Sequence, residues 1–165
     1  VLQKPADDLV HALKYEGWHE LADFMAKAMV KLAVPEPPAS SLVVPVPTTV
    51  RRVARRGYNQ AEMLARRFAG LLGLPLRHAL ERLEGERSQT SLAPAERLEN
   101  VRGVFRPTAG PAEVVRGRHV LLVDDVLTTG ATAGEAARTL ASLGVRAVTL
   151  VTFARALPTR SDRAG

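Results

Sequence analysis

The stretch from His119 to Phe153 constrains the fold more than any other part of the chain. His119–Val123 is an unbroken β-branched and aliphatic run, the pattern of a strand covered on both faces. A turn follows, then a helix over Ala133–Leu143 with Ala133, Ala136, Ala137, Leu140 and Leu143 on its inner face and Gly144 at its end. Ala147–Phe153 is a second buried-type strand. Strand, helix and strand with such short links make a βαβ unit, so the sheet is expected to be parallel here. The fold class that follows is α/β, a mainly parallel twisted sheet flanked by helices.

Upstream, the spacing predicts a helix over Gly17–Leu32, with Leu21, Phe24, Met25, Ala28, Met29 and Leu32 on one face. The Pro-rich segment Pro35–Ser41 reads as a connector, and Leu42–Val46 as a buried strand whose end Pro45 makes irregular. A helix is expected from Asn59, where Asn59 and Glu62 have capping-box spacing. Its stripe is Ala61, Leu64, Phe68, Leu71 and Leu72, and Gly73 with Pro75 stops it. Leu76–Leu83 reads as a strand, Glu84–Pro94 as a polar loop, Ala95–Val101 as a short helix, Gly103–Arg106 as a strand and Thr108–Pro111 as a turn.

A length of 165 residues suits one domain: an N-terminal helical segment over 1–34, a core over 42–155 and a frayed tail over 156–165. No apolar run nears the roughly 18 residues that span a bilayer, and the N-terminus lacks a basic-then-apolar leader layout, so a cytoplasmic location is expected. The absence of cysteine excludes disulfides, thiolate metal sites and a cysteine nucleophile within these residues. His11, His19, His78 and His119 lie too far apart for paired metal-ligand spacing. A net charge of +6, carried mostly by Arg, favours an anionic partner such as a phosphate, a nucleotide or a nucleic acid.

The chemistry concentrates in Val120-Leu-Leu-Val-Asp-Asp-Val-Leu-Thr-Thr-Gly-Ala-Thr132. A buried-type strand ends in Asp124 and Asp125, at the carboxyl end where open α/β sheets place ligands. A tight turn with Thr128, Thr129, Gly130, Ala131 and Thr132 then leads into a helix. Backbone N–H groups, three hydroxyls and the positive end of a helix dipole converge there, which is a cradle for a terminal phosphate. The paired carboxylates beside it accept hydrogen bonds from vicinal sugar hydroxyls or help hold hydrated Mg²⁺. Together these describe a ribose 5-phosphate site. The plainer alternative makes Asp124 and Asp125 turn residues and Thr132 with Glu135 a capping box.

These thirteen residues resemble the phosphoribosyl pyrophosphate (PRPP) signature of type I phosphoribosyltransferases: four hydrophobic residues, two acidic, two hydrophobic, then TTG-x-T. Further along the chain, Ala12-Leu-Lys-Tyr-Glu-Gly17, Val44-Pro-Val-Pro47, Arg56-Gly-Tyr-Asn-Gln-Ala-Glu62 and Ser88-Gln-Thr-Ser-Leu92, followed by Arg97 and Asn100-Val-Arg-Gly-Val-Phe105, resemble the ComF family. Those are competence-associated proteins with a phosphoribosyltransferase domain. Its members commonly carry an N-terminal four-cysteine zinc module, which these cysteine-free residues lack.

The resemblance implies that Asp124 and Asp125 meet the ribose hydroxyls, as the catalytic pair and as possible direct ligands of a Mg²⁺ carried by PRPP. It implies that Thr128, Thr129, Gly130, Ala131 and Thr132 bind the 5-phosphate. Pro47, Thr48 and Thr49 correspond to the loop that contacts pyrophosphate, with Arg51 and Arg52, and nearby Arg55 and Arg56, suited to neutralise its charge. A solvated basic face or contact with a nucleic-acid backbone would use the same arginines, with Tyr58 alone nearby for base stacking. Glu84–Pro94 matches a loop that closes over substrate, with Arg82, Arg87, Gln89 and Arg97 as contacts made on closure. The implied activity is transfer of the phosphoribosyl group to an acceptor that the residues do not specify. The alternative is a non-catalytic module that binds PRPP, a nucleotide or DNA during DNA uptake or processing.

Overall fold

The computed structural model describes residues 19–32, 37–84, 102–110 and 112–156. In chain order they form α1 (His19–Leu32), β1 (Leu42–Pro45), α2 (Val50–Arg56), α3 (Gln60–Leu72), β2 (Leu80–Arg82) and β3 (Phe105–Pro107). The one-turn α4 (Ala112–Val115), β4 (His119–Leu127), α5 (Ala131–Ser142) and β5 (Ala147–Arg155) follow.

Strands β1, β4 and β5 form a parallel sheet in the order β1-β4-β5, as the βαβ pattern predicts. Side chains alternate across a strand, and the two cores sort accordingly. Val43, Leu121 and Val123 join Met25 and Met29 of α1 and Leu64 and Phe68 of α3 in one layer. Leu42, Val44, Val120 and Leu122 join Ala136, Leu140 and Leu143 in the other. Helices thus cover both faces of the sheet, which explains why β1 and β4 read as continuous apolar runs.

The packed faces are narrower than the apolar spacing suggests. Phe24 is 58% exposed and Leu71 49% exposed. α1 packs instead through Ala22, Met25, Ala26 and Met29, and α3 through Leu64, Ala65, Phe68 and Ala69. The predicted strand over Leu76–Leu83 divides in two. Leu76 makes an isolated parallel bridge to Val43, while Leu80–Arg82 pairs antiparallel with β3. The strand expected over Gly103–Arg106 lies at Phe105–Pro107, because Gly103 turns the chain at φ +69°.

α2 was not expected. Thr49 caps it, its Oγ1 accepting from the Arg52 N–H at 3.3 Å, and Gly57 ends it at φ +84°. The capping box at Asn59 and Glu62 does not form, since Asn59 makes no side-chain cap. Its Nδ2 donates instead to Val46 O at 3.2 Å, tying the start of α3 to the loop that leaves β1. The helix read over Ala95–Val101, and the loop Glu84–Pro94 beyond Glu84, lie outside the described residues. No helix among the described residues is long and apolar enough to cross a membrane.

Candidate functional site

The acidic pair is part of a strand. β4 runs on through Asp124 and Asp125 to Leu127, because β5 continues beside it with Asp124 opposite Thr152, Val126 opposite Ala154 and Leu127 opposite Arg155. A backbone ladder of this kind overrides the low strand preference of Asp. Asp124 Oδ1 accepts from the Asp125 N–H at 2.9 Å, and Asp125 Oδ1 accepts from the Val126 N–H at 2.8 Å. Each carboxylate is therefore held against the backbone that carries it.

The turn then releases the chain into α5. Gly130 stands at the N-cap with φ +80°, a left-handed conformation that disfavours other residues. No side-chain oxygen caps the helix in the usual way. Thr129 Oγ1 makes only a long contact with the Ala131 N–H, at 3.4 Å. Beyond that contact of Ala131, first-turn amides have no partner within a helix and are free to meet a ligand or water. Thr132 with Glu135 does not act as a capping box. Glu135 is buried, accepts from the Gly103 N–H at 2.7 Å and pairs with Arg138.

On the neighbouring strand, the Val46 N–H donates to Val123 O at 2.9 Å, which sets the 46–48 loop beside the start of the acidic pair. A cleft of about 340 Å³ opens there, and its lining is mostly polar in character. Pro47, Thr48, Arg52, Arg82, Asp124, Asp125 and Thr132 line it, so residues singled out from three separate parts of the sequence converge on one cleft. Arg56, expected beside the pyrophosphate loop, also lines it, and so do Asn59 and Gln60, for which the sequence suggested no role in a site. Their signal was present in the Arg56-Gly-Tyr-Asn-Gln-Ala-Glu62 motif, which carries no chemistry until α2 and α3 bring it to the cleft.

Other expected site residues lie outside this lining. Thr49 caps α2, and the Arg51 N–H donates to Glu84 Oε1 at 3.3 Å. Thr128 and Thr129 are exposed, and with Gly130 and Ala131 they form the turn outside the cleft wall. Arg87, Gln89 and Arg97 lie outside the described residues.

Arg82 reaches the cleft from β2, with its guanidinium 5.3 Å from the centre of the Phe105 ring. Burial, and then the neighbouring Arg52, push its pKa below the ordinary arginine value, while Asp124 and Glu84 oppose that shift. It stays charged at neutral pH, and a partly desolvated cation attracts an anion more strongly than one in open water. Arg52, Arg56 and Arg82 against Asp124 and Asp125 give the cleft both cations, a type suited to phosphate oxygens, and carboxylates, a type able to accept from hydroxyls.

The fit to Mg²⁺ is limited to these two carboxylates. No group of three or more His, Cys, Asp or Glu able to hold a metal occurs among the described residues. Mg²⁺ is commonly held by one or two carboxylates together with ligand phosphates and water, so the donor set fits an ion that arrives with a diphosphate.

Residues 47–164 match the family described as phosphoribosyl transferase domain. Competence protein F of Haemophilus influenzae is 35% identical over 132 residues, 79% of this chain and 55% of that protein. DNA utilization protein YhgH of Salmonella typhi is 31% identical over 159 residues, 93% of this chain and 68% of that protein. The chain therefore spans about half the length of the first relative and about two thirds of the second. In three dimensions it is similar to the glutamine PRPP amidotransferase from B. subtilis, with a TM-score of 0.53 at 20% identity, over 80% of this chain and 26% of that one.

Proposed function

We propose, for a chain that belongs to the ComF family and carries its phosphoribosyl transferase domain on a type I phosphoribosyltransferase fold, that the cleft binds PRPP together with Mg²⁺. The supporting observation is that one cleft is lined by Asp124, Asp125 and Thr132, by the 47–48 loop, and by Arg52 and Arg82. In this reading the carboxylates accept from the ribose hydroxyls, and the 128–132 turn receives the 5-phosphate on the first amides of α5. The loop and the arginines take the diphosphate. Bound Mg²⁺ supplies further neutralisation of diphosphate charge.

Such a site is suited to phosphoribosyl transfer. An acceptor forms a bond to C1 of the ribose and gives up a proton, while the C1–O bond breaks and its electron pair leaves with pyrophosphate. The contribution of this chain's residues is positioning and stabilisation of the departing charge by Arg52, Arg56 and Arg82. Titration calorimetry of the full chain with PRPP and Mg²⁺ tests the binding, and a PRPP dissociation constant in the micromolar range is the expected result. Pyrophosphate release against a panel of bases and amines tests turnover. Binding without release makes the chain a PRPP sensor, and absence of binding overturns the reading.

A second reading rests on α2, whose residues are all outside the core and include the exposed Arg51, Arg52 and Arg55. With relatives named for competence and DNA utilization, this basic helix suits contact with a phosphodiester backbone. Single-stranded DNA is then expected to bind in a salt-sensitive way, and replacing Arg51, Arg52, Arg55 and Arg56 by Ala should weaken it by tenfold or more, on the order of magnitude expected for three or four lost phosphate contacts. Retention of DNA affinity in a folded quadruple variant, measured by fluorescence anisotropy at two salt concentrations, rules this reading out.

A further inference from the structure

Gln60 opens α3 with a side chain that is only 5% exposed, yet it lines the cleft. Its Oε1 accepts from Arg56 Nη1 at 3.4 Å, whereas its Nε2 is buried and has no hydrogen-bond partner among the described residues. A guanidinium only donates, so turning the amide over would set its NH₂ against Arg56, donor against donor. Arg56 therefore decides which way the amide faces, and the outcome is a two-proton donor held in a cleft wall with nothing to receive it.

Buried polar groups are nearly always paired, and a donor left over costs stability in the unliganded protein. Function is the common reason for keeping such a group. The surrounding residues indicate what kind of acceptor it awaits. Beside the Arg56 that it contacts, Arg52, Arg82 and Thr48 share the cleft lining with it, and these cations collect anionic oxygens, while Asp124 and Asp125 make up the acidic part of the same lining. The terminal torsion of a glutamine is its softest, so a small rotation turns the donor toward an occupant.

We propose that Gln60 is a ligand-binding residue of this cleft, its amide nitrogen donating to a diphosphate oxygen while Arg56 fixes the orientation that presents the donor. The chemistry of the occupant rests on the PRPP reading above. The contact adds a neutral donor to the cationic ones, which helps distinguish a diphosphate, rich in acceptors, from a ligand with a single phosphate.

The test is titration calorimetry on the full chain with three probes: PRPP with Mg²⁺, inorganic pyrophosphate with Mg²⁺, and ribose 5-phosphate. Thermal unfolding without ligand accompanies each titration. Gln60→Met, similar in length and without a donor, is expected to weaken PRPP and pyrophosphate by about tenfold, the range of one hydrogen bond to a charged group. Ribose 5-phosphate affinity and the melting temperature should hold, or the latter should rise, because a buried unpaired donor is gone. Gln60→Glu keeps an acceptor for Arg56 and lacks the donor, so it is expected to fold and to bind pyrophosphate no better than the Met variant. A lower melting temperature with unchanged affinities makes Gln60 purely structural and overturns the proposal. Equal losses for all three probes also overturn it, since the contact would not be to the diphosphate. If the unaltered chain binds pyrophosphate but not PRPP, the PRPP reading fails while the Gln60 variants still decide the donor's role; if it binds none of the three, both fall.

Discussion

Replacing Asp124 and Asp125 together by Asn is expected to weaken binding of PRPP with Mg²⁺ by about two orders of magnitude while the protein stays folded. Each carboxylate offers a hydroxyl a charged acceptor, and hydrogen bonds to charged groups contribute roughly 1.5–3 kcal/mol. Asn retains a neutral acceptor and recovers part of that, leaving a net loss near 3 kcal/mol for the pair, or about a hundredfold in affinity. The fold should tolerate the change because each Asn keeps an oxygen to accept from the next backbone amide, as Asp124 and Asp125 do from Asp125 and Val126. The loss of Asp124 also removes one of the two negative charges that hold up the Arg82 pKa. Calorimetry checks the affinity and circular dichroism the fold; a folded double variant with unchanged PRPP affinity would sink the assignment of the acidic pair.

The largest expected effect on stability belongs to Phe68→Ala. Phe68 is fully buried on α3, among Met25, Met29, Leu64, Val43 and Val123, where α1 and α3 meet the back of the sheet. Truncating such a ring costs about 3–5 kcal/mol, because the cavity closes only in part. For a domain of this size that corresponds to a fall in melting temperature of about 10 °C. Phe68→Leu should recover much of the loss. Differential scanning calorimetry provides the measure, and a fall below about 3 °C for the Ala variant would mean that α3 does not pack on the sheet as described.

The parts of the fold that were legible are those whose signal is local and periodic. β1, the β4-α5-β5 unit and α3 follow from apolar patterning, and Gly73 marks the end of α3 by adopting the left-handed conformation that only glycine takes readily. The thirteen residues at Val120–Thr132 also carried the resemblance to phosphoribosyltransferases, which the family match over residues 47–164 bears out. What was not legible depends on distant partners. α2 lacks an apolar stripe because nothing in it is buried, so periodicity had nothing to report. Asp124 and Asp125 continue a strand because β5 runs alongside, a fact held in residues 152–155 and not in the acidic pair. Asn59 forsakes its cap because Val46 O lies within reach, and Gln60 reveals an unused donor only when Arg56 is seen against its oxygen. In each case the deciding atom lies on another turn or another strand.

The parallel pairing of β1 with β4 carries a kinetic meaning. Leu42 aligns with Val120, and Ser41 meets His119, 78 positions further along the sequence. The cleft takes one wall from residues 46–61 and another from 124–132, so neither half-chain holds a site by itself. Closing so long a loop is slow and entropically costly, and binding competence should therefore emerge late in folding. Any ligand spanning the two walls then acts as a clasp: it recognises only chains that have completed the closure, and by mass action it protects them. Amide hydrogen exchange along 43–46 would register its presence as slowed opening, at a distance from the atoms it touches.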